Sequence, residues 1–479
     1  MTQAGFFALV YAAGLAFNLA WGPRRDAVLA CALAFPCGLT FWVLGALLGV
    51  ATGLASAPAF GLGTLVALVV GSAAASLRRA CTPISWTRVA ACSAAFVAGA
   101  VLVSQFSLAK FSPDSHQFLR IAAVFSRGGR LGETAAFLAD RGIFTFLSYA
   151  AGELAGVDFM FSLAPVVGLS LAALLAVAIS RALEREGVDR RTRLLASAGV
   201  TAAVMTTYVI AFHMVYIHAN LGSALYLFGF GALFWLAERD GDASLLSPAL
   251  VCLVAFSIHR VEAPVFAALF AVLAAWPSQL PRRLLAAGLF AFGAITAGWL
   301  LLLSAAIPSE GEFLTPGRAV LLSAMSLAPL AGLPLAARLP RALVARHLPT
   351  AVLVVASVGL AVTFAIKPHH MMTSLEAVVV NLLGVQIGLF GYAWWAALAL
   401  GALCLATPPS RIARPLLMGV AVSVIVVVLL GFFRVPYRVG PADSAGRMFI
   451  HFLPLLYFLY AVKLVPLRRW RASAAEEAG

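Results

Sequence analysis

PLLMGVAVSVIVVVLLGF, residues 415–432, runs eighteen residues without a charge between Arg414 and Arg434. Wound as a helix at about 1.5 Å per residue it reaches about 27 Å, close to the roughly 30 Å of a bilayer's hydrocarbon core. Similar runs recur on both sides of it, near 3–21, 27–51, 59–77, 89–106, 159–182, 194–213, 220–237, 245–258, 263–276, 284–305, 319–336, 350–366, 383–405 and 449–465. The expected fold is therefore an all-α, polytopic integral membrane helix bundle of about fifteen transmembrane spans. Composition agrees: of 479 residues 62% are hydrophobic and 11% charged, against about a quarter charged in soluble domains. No polar stretch is long enough for a soluble domain, so 1–479 reads as a single transmembrane domain: four N-terminal spans in 1–106, a long loop over 107–158, and the remaining spans in 159–479. The first 23 residues lack Lys and Arg, so the first run reads as a retained span rather than a cleaved signal. The six cysteines form no CxxC pair and read as buried thiols.

The net charge of +14 would point to nucleic acid in a soluble protein. In a membrane chain the positive-inside rule accounts for it first, and no nucleic-acid partner is expected. Placing Arg24 and Arg25 inside and alternating thereafter puts 22 of the 33 basic residues in cytoplasmic breaks, including RALEREGVDRR (181–191), Arg282, Arg283, Arg411 and Arg414. The opposite side collects His116, His213, His218, His259, His369, His370 and His451, leaving only His347 inside. The functional chemistry is therefore expected at the outer face. The doubtful step is 245–276, where two short runs flank His259-Arg260-Val261-Glu262; we read them as a hairpin whose apex dips below the outer boundary into a wet cavity.

Four constellations stand on that side. In the 107–158 loop, PDSHQFLRIAAVF (113–125) places Phe118, Ile121, Ala122 and Phe125 on one helical face. It reads as an interfacial amphipathic helix, with a second over 134–154. Asp114 caps the first helix or serves as a general base; His116 and Arg120 are a solvated histidine and a headgroup-reaching arginine, or substrate contacts. The apex His259, Arg260 and Glu262 is either an ion pair that fixes the bundle or the floor of a cavity. Lys367, His369 and His370 follow at the end of another run. Around the last outer loop stand Arg434, Tyr437, Arg438, Arg447 and His451. Arginines on the side that disfavours them suit lipid phosphates or a bound phosphate or diphosphate, whose oxygens the guanidinium fork matches. No metal motif appears; a divalent cation stays open through the ligand types of Asp114 and His116. No glycine-rich phosphate loop follows a strand, so nucleotide hydrolysis is not expected.

An acidic residue in a long outer loop followed by an amphipathic helix (Pro113-Asp114-Ser115-His116-Gln117-Phe118), with an arginine just before a Pro-containing late span (Gly446-Arg447-Met448-Phe449-Ile450-His451-Phe452-Leu453-Pro454), resembles the GT-C superfamily of multispanning glycosyltransferases. The resemblance covers some fifty residues plus general topology; four spans precede the acidic loop here, where most members have one. It implies that Asp114 is the catalytic carboxylate, acting as base on an acceptor hydroxyl. It implies too that basic residues among Arg260, Lys367, Arg434, Arg438 and Arg447 hold the donor's phosphate. The implied partners are a polyprenyl-phosphate-linked sugar, a lipid, glycan or protein acceptor, and membrane lipids; no cofactor is certain. A transporter or flippase for an anionic lipid-linked substrate, or an O-antigen-type polymerase or ligase, are the alternatives. Ala- and Arg-rich composition is compatible with a high-GC bacterium, which would place the chain in the inner membrane with its site facing the periplasm.

Overall fold

The computed structural model describes residues 2–23, 26–53, 57–78, 84–105, 113–150, 159–307, 314–407, 410–440 and 443–466. All regular structure among them is helical, with no strand, and the chain is a polytopic helical membrane protein. Among the described residues ten helices are long and apolar enough to cross a membrane, eleven if Arg190–Met205 and Tyr208–Met214, bent by 74° at their break, count as one. Four further apolar stretches are shorter: Ala243–His259, Ala263–Ala275, Ala393–Leu405, and Gly61–Leu77 within a longer helix. The fifteen runs expected from the sequence fall on these ten helices, the bent pair and the four shorter stretches, of which only the ten or eleven have by themselves the length and apolarity to cross.

The elements that position the site are numbered in chain order: α1 Gln3–Trp21, α2 Ala34–Thr52, α3 Pro113–Ser126, α4 Phe144–Tyr149, α5 Phe159–Arg185, α6 Tyr208–Met214, α7 Asn220–Asp240, α8 Leu246–His259, α9 Ala263–Ala275, α10 Arg282–Ala306, α11 Arg341–Ile366, α12 Pro368–Leu383, α13 Ala413–Leu430 and α14 Leu453–Leu464. The centre of the bundle is α7, whose apolar window is 100% buried, while the window of α11 is 11% buried. On α11 Val354, Val355, Val358 and Val362 point outward; in a membrane those side chains meet lipid, which is why an apolar surface is stable there. Apolar residues all round α7 leave it no face for lipid or water alone, and α5, α8 and α14 pack on it. It stops at Gly241, whose φ of 65° supplies the left-handed turn that caps a helix.

Its 21 residues span about 30 Å, so its two ends lie a hydrocarbon thickness apart. The far end carries an ion-pair belt: Arg181 with Asp26 and Glu184, Arg193 with Glu184, Arg185 with Asp240, and Arg239 with Glu186. The near end, at Asn220, carries the histidines.

Helices α8 and α9, of 14 and 13 residues, reach only about 20 Å each. They form the hairpin read from the sequence. Arg260 is extended (φ −138°, ψ 153°) and breaks the helix; Pro264 then restarts it from the first turn, where a missing N–H leaves nothing unpaired.

The 107–158 loop departs from expectation. The second helix expected over 134–154 is not continuous within 134–150: Ala135–Leu138 and α4 are separate, joined by a turn at Gly142, and 151–154 lie outside the described residues. Gly142 has φ of 97°, and a Cβ there would come within 2.5 Å of the His259 carbonyl oxygen. Ile143 N donates to Ile258 O at 3.1 Å. Every residue of α4 is buried, because the segment packs onto the hairpin apex. Phe118, Ala122 and Phe125 of α3 are likewise buried while His116 and Arg120 are exposed, and Phe118 stacks on Phe146 of α4 at 4.5 Å. The amphipathic face of α3 meets protein.

Candidate functional site

Asn220, fully buried at the first turn of α7, is the centre on which the distant segments converge. A carboxamide offers two donors and two acceptor lone pairs, and all four are used. Its Nδ2 donates to His213 Nε2 (3.1 Å) and His218 Nδ1 (2.9 Å); its Oδ1 accepts from Arg260 Nη1 (2.9 Å) and His451 Nε2 (3.3 Å). Four residues from 213 to 451 are thereby held by one side chain.

The hydrogen bonds dictate the tautomers. His213 Nδ1 lies 2.7 Å from Val209 O and must donate to it, leaving Nε2 to accept from Asn220. His218 accepts through Nδ1, so its proton is on Nε2, a buried donor with no hydrogen-bond partner among the described residues. His451 donates through Nε2, so Nδ1 is a buried acceptor with no hydrogen-bond partner among the described residues. His259 Nδ1 donates to Ala255 O at 2.8 Å, and its ring stacks on Phe144 at 3.9 Å. His218, in the segment joining α6 to α7, is neutral at pH 7: burial first, then the charges of Arg447 and Arg260, push it well below the usual imidazole range.

Arg260 grips Glu262, Nε at 2.6 Å and Nη2 at 2.5 Å from the same Oε1, both residues 1% exposed. Glu262 Oε2 has no hydrogen-bond partner among the described residues. Burial works against the Glu262 carboxylate, but Arg260 and Arg434 hold it below the ordinary carboxyl range. The charges of Arg447, Arg434 and Arg141 also reach Arg260. Buried polar atoms left open are uncommon and costly, and here three of them belong to residues of one cluster. Beside His218 and His259, a cavity of about 30 Å³ between Phe144, Ser148, Tyr149 and Tyr226 has room for a water molecule.

Of the residues singled out from sequence, His259, Arg260, Glu262, Arg447 and His451 are brought together, with Arg434 in electrostatic reach. The link to α3 is Phe118, whose ring lies 5.2 Å from that of His218. Asp114 is one helical turn earlier, and its side chain lies outside the described residues. His116 and Arg120 point away, exposed. Lys367, His369 and His370 are not part of the cluster. His370 Nε2 donates to Gly431 O at 2.7 Å and Lys367 Nζ sits 4.6 Å from the Phe432 ring centre, so these two brace the turn before Arg434, while His369 is exposed. Tyr437 is buried with its hydroxyl on Val427 O at 2.9 Å, anchoring the loop to α13. Arg438 is exposed, its backbone tied to Asp443 and Asn381.

The sequence reading missed Asn220 and gave no role to His213, His218 or Arg141. The spacing of His213, His218 and Asn220 fits no single helix, because α6 ends at Met214 and the chain turns before α7. Among the described residues no group of three or more His, Cys, Asp or Glu is arranged to hold a metal.

Replacing Asn220 with Leu should orphan four buried groups at about 1–3 kcal/mol each. The expected result is a loss of about 3 kcal/mol or more, read as thermal unfolding of the purified protein in detergent. An unchanged midpoint would show that Asn220 is not the hub. No family model, curated protein or solved structure matches the chain.

Proposed function

We propose that the protein is a membrane glycosyltransferase that moves a sugar from a polyprenyl-phosphate-linked donor to a lipid, glycan or protein acceptor at the outer face. The observation that carries this reading is the buried cationic cluster around Asn220. It gathers arginines and neutral histidines at one end of α7, beside the helix Pro113–Ser126, whose Phe118 ring lies 5.2 Å from that of His218.

In this reading Asp114 takes the proton from the acceptor hydroxyl as its oxygen attacks the anomeric carbon. The bond from that carbon to the carrier's phosphate oxygen breaks, and the electron pair leaves on the phosphate. Arg260, Arg447 and Arg434 stabilise that developing charge, an electrostatic effect largest where water is excluded. The His218 Nε2 proton offers a fixed donor to an oxygen of the sugar or phosphate. The arginine-rich end of α7 is assigned to the cytoplasm by the positive-inside rule, which puts the cluster outside, facing the periplasm of a bacterial inner membrane. A flippase would need polar groups along a path through the bundle; the histidines crowd one boundary instead.

The test is purified protein in liposomes with radiolabelled polyprenyl-phosphate sugars and mixed envelope acceptors. Transfer of label with release of the polyprenyl phosphate is the expected result. Translocation of the intact donor without transfer would overturn the enzyme reading in favour of the transporter.

A further inference from the structure

A second cavity lies at the opposite end of α7. It holds about 240 Å³ and opens between the ends of α7, α9, α11 and α13, lined by Glu238, Arg239, Ser278, Gln279 and Arg411 among apolar neighbours such as Phe234 and Leu416. That volume suits a small polar group such as a headgroup phosphate with its waters.

The charged side chains at this cavity are engaged unequally. Glu238 is occupied: Ser278 Oγ donates to Oε1, and Gln279 N donates to Oε1 at 3.0 Å and Oε2 at 3.3 Å. Arg239 is paired with Glu186 at 2.8 Å. Arg411 is different, for its fork closes on a neutral acceptor. With the Gln279 amide oriented by its hydrogen bonds, the side-chain oxygen accepts from both Nη1 and Nη2 at 2.8 Å. A planar two-pronged donor set is thus already arranged around one oxygen, the geometry that a phosphate oxygen matches with charge in addition.

Next to this, Arg282 opens α10. Its Nη2 donates to Trp276 O at 3.3 Å, while its Nη1 is buried with no hydrogen-bond partner among the described residues. The charges acting on Arg282 are a second guanidinium, Arg341, and Glu238 of the cavity wall. Arg282 and Arg341 stand behind the lining rather than in it, two guanidiniums near the single carboxylate of the wall, so that net positive charge lies next to the cavity; a basic pocket between transmembrane helices is a setting in which anionic headgroups bind.

We propose that this cavity is a binding site for a phosphate group, with Arg411 as its bidentate contact and Arg282, held behind the wall on Trp276 O, as a second cation that acts through its charge. The site is separate from the Asn220 cluster, about 30 Å away along α7, and does not depend on the function assigned there. The phosphate could be carried by a lipid headgroup of the adjoining leaflet or be free in solution; the chemistry of recognition is shared.

The test uses the full-length protein, delipidated in detergent, with native mass spectrometry and thermal unfolding as readouts. Phosphatidic acid, phosphatidylglycerol, phosphatidylcholine and inorganic phosphate are the probes. Wild type should retain an anionic phospholipid at least tenfold better than phosphatidylcholine, and Arg411→Gln or Arg282→Gln should reduce that retention at least fivefold. Arg338→Gln, an exposed arginine outside the cavity lining, should leave it unchanged. Displacement of the lipid by millimolar phosphate would identify a free anion as sufficient; retention despite phosphate would identify the lipid as the source. Failure of wild type to bind any of the anionic probes, or an equal loss in Arg338→Gln, would overturn the proposal, since the latter would mean diffuse surface attraction.

Discussion

Arg260→Met should lower stability by about 3–5 kcal/mol, because it leaves Glu262 as an uncompensated carboxylate 1% exposed in the bundle. It also removes one of the two donors on Asn220 Oδ1. The double variant Arg260→Met with Glu262→Leu should recover to within about 1–2 kcal/mol of wild type, since replacing both members of a buried ion pair by apolar residues of similar volume is often neutral or stabilising. Transfer activity should not return with stability, because the proposed phosphate contact is gone. Thermal unfolding in detergent alongside transfer assays separates the two effects. A single variant as stable as wild type would show that Glu262 is neutralised by another group, and a double variant with full activity would remove Arg260 from the donor site.

The second large effect concerns Asp114. Asn is nearly isosteric and keeps the polarity at the start of α3, but its amide cannot accept a proton at neutral pH. Asp114→Asn should reduce turnover by about 10²–10⁴-fold, the usual contribution of a positioned general base. Donor affinity should stay within about twofold, because the proposed phosphate contacts lie on other segments. An unimpaired rate would sink the assignment of the base. An equal loss of donor affinity and rate would move Asp114 from proton transfer to substrate holding.

The membrane fold was legible because it depends on one-dimensional quantities. An apolar run near twenty residues can shed its backbone polarity only as a helix, and no tertiary information is needed to see it. The hairpin at 259–262 was legible for a related reason: an Arg and a Glu between apolar runs require a partner, and the nearest available was two residues away. Gly142, by contrast, looked like one more loop residue until the apex was seen against it.

The histidines and arginines were recognisable one at a time, by their presence where apolar residues dominate. Their assembly was not. Asn220 is a single carboxamide at the head of an apolar helix, with no charge, spacing or motif to mark it. It became the hub only when the break after α6, the short hairpin of α8 and α9, and the segment before α14 brought His213, His218, Arg260 and His451 within hydrogen-bond distance of one side chain. The same holds for Lys367 and His370, which share the composition of the cluster yet brace a turn outside it. Composition and hydropathy act along the chain and determined that this protein is a helical membrane bundle with polar chemistry between its spans. Which polar groups meet depends on hydrogen bonds only about 3 Å long between residues as many as 231 positions apart, and only the packing of the helices decides that.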